Sequence, residues 1–418
     1  MALTELQSAV VLLSLLVAPL AAAGLALINT GLGRSRNAAH SMMAALCAVS
    51  VAACAYFVVG HSLAGMAGSP ARSLTIAGKP WDIAGALPLF FIRLTGAQAL
   101  TALMGLESVG LAALIPLGSG AERWRLSSVC ASTAVFAGVV FPLFAHWAWG
   151  GGWLGGLGYI DTGGAGAIHA AGGLTALPIA WLLGPRRGKY GADGMPMAIP
   201  GHSVVFVLFG CMLAAAGWIS LNIAGAVLFA GIAPERLPLV AVNTILSAGA
   251  AALVSAVITR TRFGRPDASL TANGWVGGLV AVSSGCAFLP PAAAVLTGMV
   301  AGALVTLAVE FIELRLEVDD PGGSVSVHAV AGIWGLLATG MLGRFPAGGE
   351  AVMFAQVVGV STLLGFVLPA SWGINALLNR FVPMRVSRDG ERQGMDLFEL
   401  GAGAYPDFVT HTDDFMPR

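Results

Sequence analysis

Two histidines set in apolar sequence are the residues of this chain best placed to do chemistry. His169 closes the run Asp161-Thr162-Gly163-Gly164-Ala165-Gly166-Ala167-Ile168-His169 and opens a very apolar segment that continues to Leu183. Eight residues of helix span about 12 Å, so an Asp161 that caps the helix at a water interface puts His169 well inside a membrane. There a neutral imidazole must face protein rather than lipid, and an ionisable residue at such depth points to function. Taken alone, His169 reads equally well as a core histidine satisfied by a neighbouring carbonyl or hydroxyl. His328, in Ser324-Val325-Ser326-Val327-His328-Ala329-Val330-Ala331-Gly332, shifts the balance. Each histidine is followed by alanine and, four residues on, by glycine, so each presents a small face on the same side of its helix. A neutral imidazole offers one donor and one acceptor, and its charge changes near physiological pH, so a pair of them can hold or pass a proton where little else is polar.

The elements that position such a pair must be membrane helices. Of 418 residues 57% are hydrophobic and 10% charged, with a mean hydropathy of +0.83, against roughly a quarter charged in a soluble domain. Fifty-seven glycines without a collagen period suit close helix packing in lipid. Lys plus Arg equals Asp plus Glu at 21 each, which leaves no nucleic-acid footprint. Cys47, Cys54, Cys130, Cys211 and Cys286 lack metal-ligand spacing and read as small packing residues. No nucleophile, metal set or cofactor motif accompanies the histidines, so neither an enzyme nor a cofactor is expected.

The apolar runs predict an all-α polytopic membrane protein with eleven transmembrane helices. The spans are Leu6–Leu32, Met42–Leu63, Leu87–Leu117, Val129–Trp149 and Asp161–Leu183, then Ser203–Asn222, Leu239–Ile258, Gly274–Leu289, Ala292–Leu314, Val325–Leu342 and Phe354–Leu378. A loop with Arg72, Lys79 and Pro80 separates the second and third. The first segment lacks a basic flank and a cleavage site and reads as a retained helix rather than a signal peptide. Clusters such as Arg34 and Arg36, Arg186, Arg187 and Lys189, and Arg260, Arg262 and Arg265 orient the chain with its N-terminus outside and its C-terminus in the cytoplasm. Residues 1–380 form the membrane domain, with repeats over about 5–190 and 198–345 and an eleventh helix over about 351–380, and 381–418 form a tail. Ala21-Ala22-Ala23-Gly24 with Asn29 returns as Ala214-Ala215-Ala216-Gly217 with Asn222 at identical spacing. Five spans in the first half turn the second repeat upside down, an inverted five-plus-five arrangement that can bring His169 and His328 to one axis.

Several segments resemble the ammonium transporter (Amt/Mep/Rh) family over essentially the whole chain. They include Gly31-Leu32-Gly33-Arg34, Gly120-Ala121-Glu122-Arg123, His146-Trp147-Ala148-Trp149-Gly150, the Asp161 to Gly173 run, Gly217-Trp218 with Asn222, Val242-Asn243-Thr244 and Asp319-Asp320-Pro321 ahead of His328. The tail, from Arg385-Val386-Ser387 through Gly394-Met395-Asp396 to Tyr405, looks like the transporter branch of bacterial type rather than the Rh branch. The resemblance implies a homotrimer in the cell (inner) membrane, surrounded by lipid, with a pore through each subunit. It further implies ammonium capture at an outer vestibule and passage of ammonia and a proton by way of the twin histidines.

Trp149 matches the vestibule aromatic of that family and reads alternatively as an interfacial tryptophan. Asp161 matches the anchoring carboxylate, a role compatible with an N-cap. The departures lie at the mouth. Where the family has two stacked phenylalanines, this chain has Ser108, beside Glu107, and Leu221, and where it has a vestibule serine, Gly225. The expected substrate-binding set is therefore Trp149, Asp161, Ser108, Leu221 and Gly225. Glu107 faces either the vestibule or a neighbouring helix, where it would pair with Arg93 or meet a subunit interface. The tail resembles a region that couples subunits and, in many bacterial members, cooperates with a P-II signalling protein. Arg186, Arg187 and Lys189 with Asp396, Glu399 and Tyr405 are polar material for such docking. Ammonium/ammonia transport is the leading expectation. A channel for another small amine or neutral molecule and a low-flux ammonium sensor are the alternatives.

Overall fold

The computed structural model describes residues 3–92, 94–345 and 349–405. Ten helical segments are long and apolar enough to cross a membrane: α1 (Glu5–Leu32), α2 (Ser35–Ala64), α3 (Gly96–Gly120), α4 (Leu126–Gly156), α5 (Ala165–Leu183), α6 (Val204–Ala230), α7 (Pro234–Phe263), α9 (Pro291–Arg315), α10 (Val325–Leu342) and α11 (Gly349–Phe381). A further helix, α8 (Ala268–Ser283), stands where the eighth span was expected; it is 16 residues long and largely buried between its neighbours. Thr4 opens α1 with a capping box, accepting from the Gln7 amide while the Gln7 side chain takes the Thr4 amide. Asp267 caps α8 at the Leu270 amide.

The two halves meet where sequence analysis placed the repeat. A Cβ on Gly24 would run into the backbone of Ala214, and one on Gly217 into the backbone of Ala21, so α1 and α6 cross in reciprocal contact. The same symmetry exchanges the asparagines. Asn29 packs against Gly322 in the second half, and Asn222 against Gly163 in the first.

Several boundaries differ from expectation. The second helix begins at Ser35 rather than Met42, and the third at Gly96 rather than Leu87. The loop with Arg72, Lys79 and Pro80 is an antiparallel hairpin, β1 (Ala71–Ile76) and β2 (Lys79–Gly85), with an irregularity between Arg72 and Ser73. The hairpin is tied down on the face away from the tail: the Trp147 indole donates to the Ile83 carbonyl at 2.7 Å. Of the five free cysteines, Cys211 and Cys286 are buried packing residues whereas Cys54 is exposed.

At the other face, buried charge binds the helix ends together. Arg123, fully buried, donates to the carbonyls of Gly184, Ala121 and Asp319, while Arg186 pairs with Asp319 at 2.9 Å and Glu122 at 3.1 Å. Arg34 also pairs with Glu122. Burial pushes the Asp319 carboxyl up, but Arg123 and Arg186 outweigh it and hold the group below its ordinary value.

The tail lies on this charged face of its own subunit. Asp396 accepts from the amides of Ala39 and His40 at 3.1 and 2.7 Å, capping α2. Glu399 meets His40 Nε2 at 2.8 Å and the Leu126 amide at 2.9 Å, and Tyr405 meets His202 at 2.9 Å. Glu391, in the short helix α12 (Arg388–Gln393), takes the Arg187 amide at 2.7 Å and the Arg385 guanidinium at 2.9 Å. Arg186 and Lys189, read from sequence as polar material for docking, spend their charge on Asp319 and Glu313 of the membrane domain.

Candidate functional site

The histidines come together at the centre of the fold. Their ring centroids are 5.4 Å apart with an interplanar angle of 29°, and His169 and His328 are 1% and 2% exposed. No hydrogen bond joins the rings, and both Nδ1 atoms are buried without a partner. Trp218 stacks on His169 at 4.5 Å and 12° and is itself fixed by its Nε1–H to Ser283 Oγ at 3.1 Å. Sequence reasoning used Trp218 only as a family marker, whereas its ring holds the His169 plane in place.

Each histidine rides on a single widened turn. α5 opens with a π-helical turn, Ala165–Ala170, and α10 with another, Val325–Val330, a local device that re-aims side chains and clusters at functional sites. A glycine in the left-handed region precedes each, Gly164 at φ 88° and Gly323 at φ 66°. Asp161 is not the N-cap residue expected from sequence, because Thr162, Gly163 and Gly164 intervene before the helix. It still serves the helix start from a distance. Its carboxylate, 4% exposed, accepts from the amides of Gly166 and Ala167 at 3.1 and 2.8 Å. Asp320, eight residues before His328, does the same for Ser324 and Val325 at 2.9 and 2.8 Å.

Above the histidines, on the hairpin face, lies a cavity of about 140 Å³ lined by Tyr56, Phe141, Trp149 and Phe229 with Gln98 and Thr101. Trp149 belongs to it as expected, and its indole N–H donates to the Asp161 carbonyl at 2.7 Å, tying the cavity to the loop ahead of α5. The other expected mouth residues do not line it. Ser108 and Leu221 are buried at 0% and 2% exposure, and the Ser108 hydroxyl lacks a partner. Gly225 packs so tightly on the Thr162 carbonyl that any Cβ would collide with it, which excludes a serine there without backbone movement. Glu107 is half-buried on α3, outside the cavity lining, and its expected partner Arg93 lies outside the described residues.

Phe229 was missed altogether. It lies flat on Trp149, ring centroids 4.5 Å apart and planes 5° from parallel. It escaped notice because the expected sixth span stopped at Asn222, two turns short of where α6 ends at Ala230.

Comparison with known proteins agrees with this geometry. The sequence pattern of the Ammonium Transporter Family matches residues 9–405. The chain is 35% identical over 418 residues to "Ammonium transporter Amt2" of Archaeoglobus fulgidus, a match covering 93% of this chain and 85% of that protein. It is 27% identical over 406 residues to "Ammonium transporter" of Bacillus subtilis, covering 92% and 94% of the two chains. Among solved structures, a "Sensor Amt Protein" matches with a TM-score of 0.87 at 25% identity, covering 94% of this chain and 98% of that one. Candida albicans Mep2 matches with a TM-score of 0.79 at 25% identity, covering 97% and 92%. On the length of the match and the identity to its relatives, the chain belongs to the ammonium transporter family.

Proposed function

We propose that each subunit conducts ammonium nitrogen across the cell membrane through a pore constricted by His169 and His328, within a homotrimer whose N-termini lie outside and whose tails lie in the cytoplasm. The observation that carries this is the pairing of two buried imidazoles, on equivalent turns of inverted halves, with a free ring nitrogen on each. Bare ammonium is costly to bury, whereas ammonia is neutral and small. Trp149 and its neighbours attract the cation. The cation's N–H proton passes to a free imidazole nitrogen of the His169–His328 pair while the N–H electron pair stays on ammonia, and the imidazoles then offer the donor and acceptor that escort the neutral base. Asp161 holds the start of α5 in register and carries the carbonyl that orients Trp149. A P-II protein, if it regulates transport, docks on the charged face that the tail already covers.

A second reading, ammonium sensing with little flux, is favoured by the likeness to the "Sensor Amt Protein" and by the covered face of Trp149. Purified protein in liposomes separates the two. Current and uptake are measured with ammonium, methylammonium and a larger amine. Parent liposomes that exceed protein-free ones, with His169→Ala impaired, support conduction. Saturable ammonium binding without flux replaces it with sensing, and neither binding nor flux removes ammonium as the ligand.

A further inference from the structure

We infer that Phe229 is the lid of the mouth, a ring that competes with the incoming cation for the face of Trp149 and so sets both apparent affinity and the size of amine admitted. This rests on the conduction reading above for the path, but not for the competition itself.

The argument begins with what the mouth lacks. Neither Ser108 nor Leu221 lines the cavity, so no aromatic closure arises from those positions. A ring from the last turn of α6 lies on the indole instead. At a centroid separation of 4.5 Å and nearly parallel planes there is no room for a cation between the rings. The face that would hold ammonium by cation–π attraction is therefore occupied on the Phe229 side.

Of the two rings, Trp149 is the fixed one. Its N–H is spent on the Asp161 carbonyl and its body meets the edge of Phe141, centroids 6.5 Å apart at 70°. Phe229 is partly exposed, and its one aromatic neighbour among the described residues is Trp149. Two residues beyond it the helix ends at Gly231, in the left-handed region at φ 60°. Phe229 also packs against the apolar core, but it has no hydrogen bond and one aromatic partner, so it moves at less cost than a ring held by a hydrogen bond and a second ring. An aromatic pair contributes about 0.5 to 1.5 kcal/mol beyond area burial, so displacing it weakens apparent affinity about 2- to 10-fold. With Phe229 in place the cavity beside the two rings measures about 140 Å³, against about 10 to 15 Å³ for one water on the same measure. The cavity thus has room for amines larger than ammonium, and what the ring limits is access past it to the indole face.

The test compares the parent with Phe229→Ala and Phe229→Leu, the latter retaining apolar bulk at the helix end in case the former fails to fold. Uptake of ammonium, methylammonium and dimethylammonium into liposomes is measured alongside equilibrium binding of methylammonium by titration calorimetry in detergent. Phe229→Ala is expected to bind methylammonium about 2- to 10-fold more tightly and to raise dimethylammonium uptake relative to ammonium, with Phe229→Leu intermediate. Unchanged binding in a folded variant overturns the lid. Unchanged relative uptake overturns its control of size. If the parent moves no amine at all, the conduction reading fails while the binding measurement still decides the competition.

Discussion

Asp161 and Asp320 are structural equivalents: each stands eight residues before a central histidine, and the carboxylate of each accepts hydrogen bonds from backbone amides at the start of the turn that carries that histidine. The pair explains why two buried acids are kept in apolar surroundings. A π-helical turn beginning in a buried loop leaves amides without intrahelical partners, and a carboxylate is a compact acceptor for two at once.

Removing either acid should therefore act first on the fold. Asp161→Ala strands the Gly166 and Ala167 amides, at about 1 to 3 kcal/mol for each buried donor left unpaired. Asp161→Asn keeps an acceptor oxygen and should cost less. Asp320→Ala additionally strands Ser119, whose hydroxyl donates to Asp320 at 2.5 Å. Thermal unfolding in detergent is expected to rank the parent above Asp161→Asn, and Asp161→Asn above Asp161→Ala. Equal midpoints for all three would show that the carboxylate is not holding the helix start.

His169→Ala should do the opposite, harming transport more than folding. The ring makes no hydrogen bond, and its stacking on Trp218 is its main specific contact. Truncating it leaves an apolar space and costs about 1 to 3 kcal/mol. Ammonium uptake or its discrimination against larger amines is expected to fall while the purified protein still elutes as one species. Normal selective uptake by this variant would remove the imidazole pair from the path.

Restoring the family's rings at the mouth should fail. The sequence comparison invites Ser108→Phe with Leu221→Phe, but both sites are filled, at 0% and 2% exposure. Added volume in a packed interior costs about 1 to 3 kcal/mol per site. Ser108→Ala, which removes an unpartnered hydroxyl, should be neutral or stabilising. Thermal midpoints measured beside methylammonium uptake check this. A stable double variant with a smaller substrate range would show that the two sites open onto the mouth after all.

These predictions mark where the sequence was legible. Long apolar runs survive as helices because lipid demands them, so α10 was located to the residue at Val325–Leu342. The His-Ala-x-x-Gly repeat likewise led to two side chains that the fold brings together. The π-helical turns were not legible, since one extra residue in a turn leaves no mark on an apolar run. Nor was the hairpin read, although Ala77-Gly78 between Ile76 and Lys79 supplies a two-residue turn with glycine. Phe229 was invisible for a simpler reason: alignment shows which ring is lost at a position, not which ring has taken its place from another.

The tail offers a test with a defined pH direction. Burial alone would raise the Glu399 carboxyl, but His40, the Leu126 amide and Arg125 together hold it below its ordinary value. A carboxyl whose folded value is depressed stabilises docking at every pH above its unfolded value, about 4.3, and loses that contribution as pH falls below it. Docking should thus be insensitive to Glu399 titration at neutral pH and weaken in acid. Trypsin cleavage after Arg388 and Arg392, followed across pH with an acid-tolerant protease as control, reads the release. Both sites are exposed but held in α12, so Glu399→Gln should speed their cleavage already at neutral pH and flatten the acid limb. Deleting the residues after Arg388 also removes Asp396 and uncaps α2 at Ala39 and His40, a loss of about 0.5 to 2 kcal/mol. Stability and transport unchanged by that deletion would mean that the docked tail neither braces the membrane domain nor governs the pore.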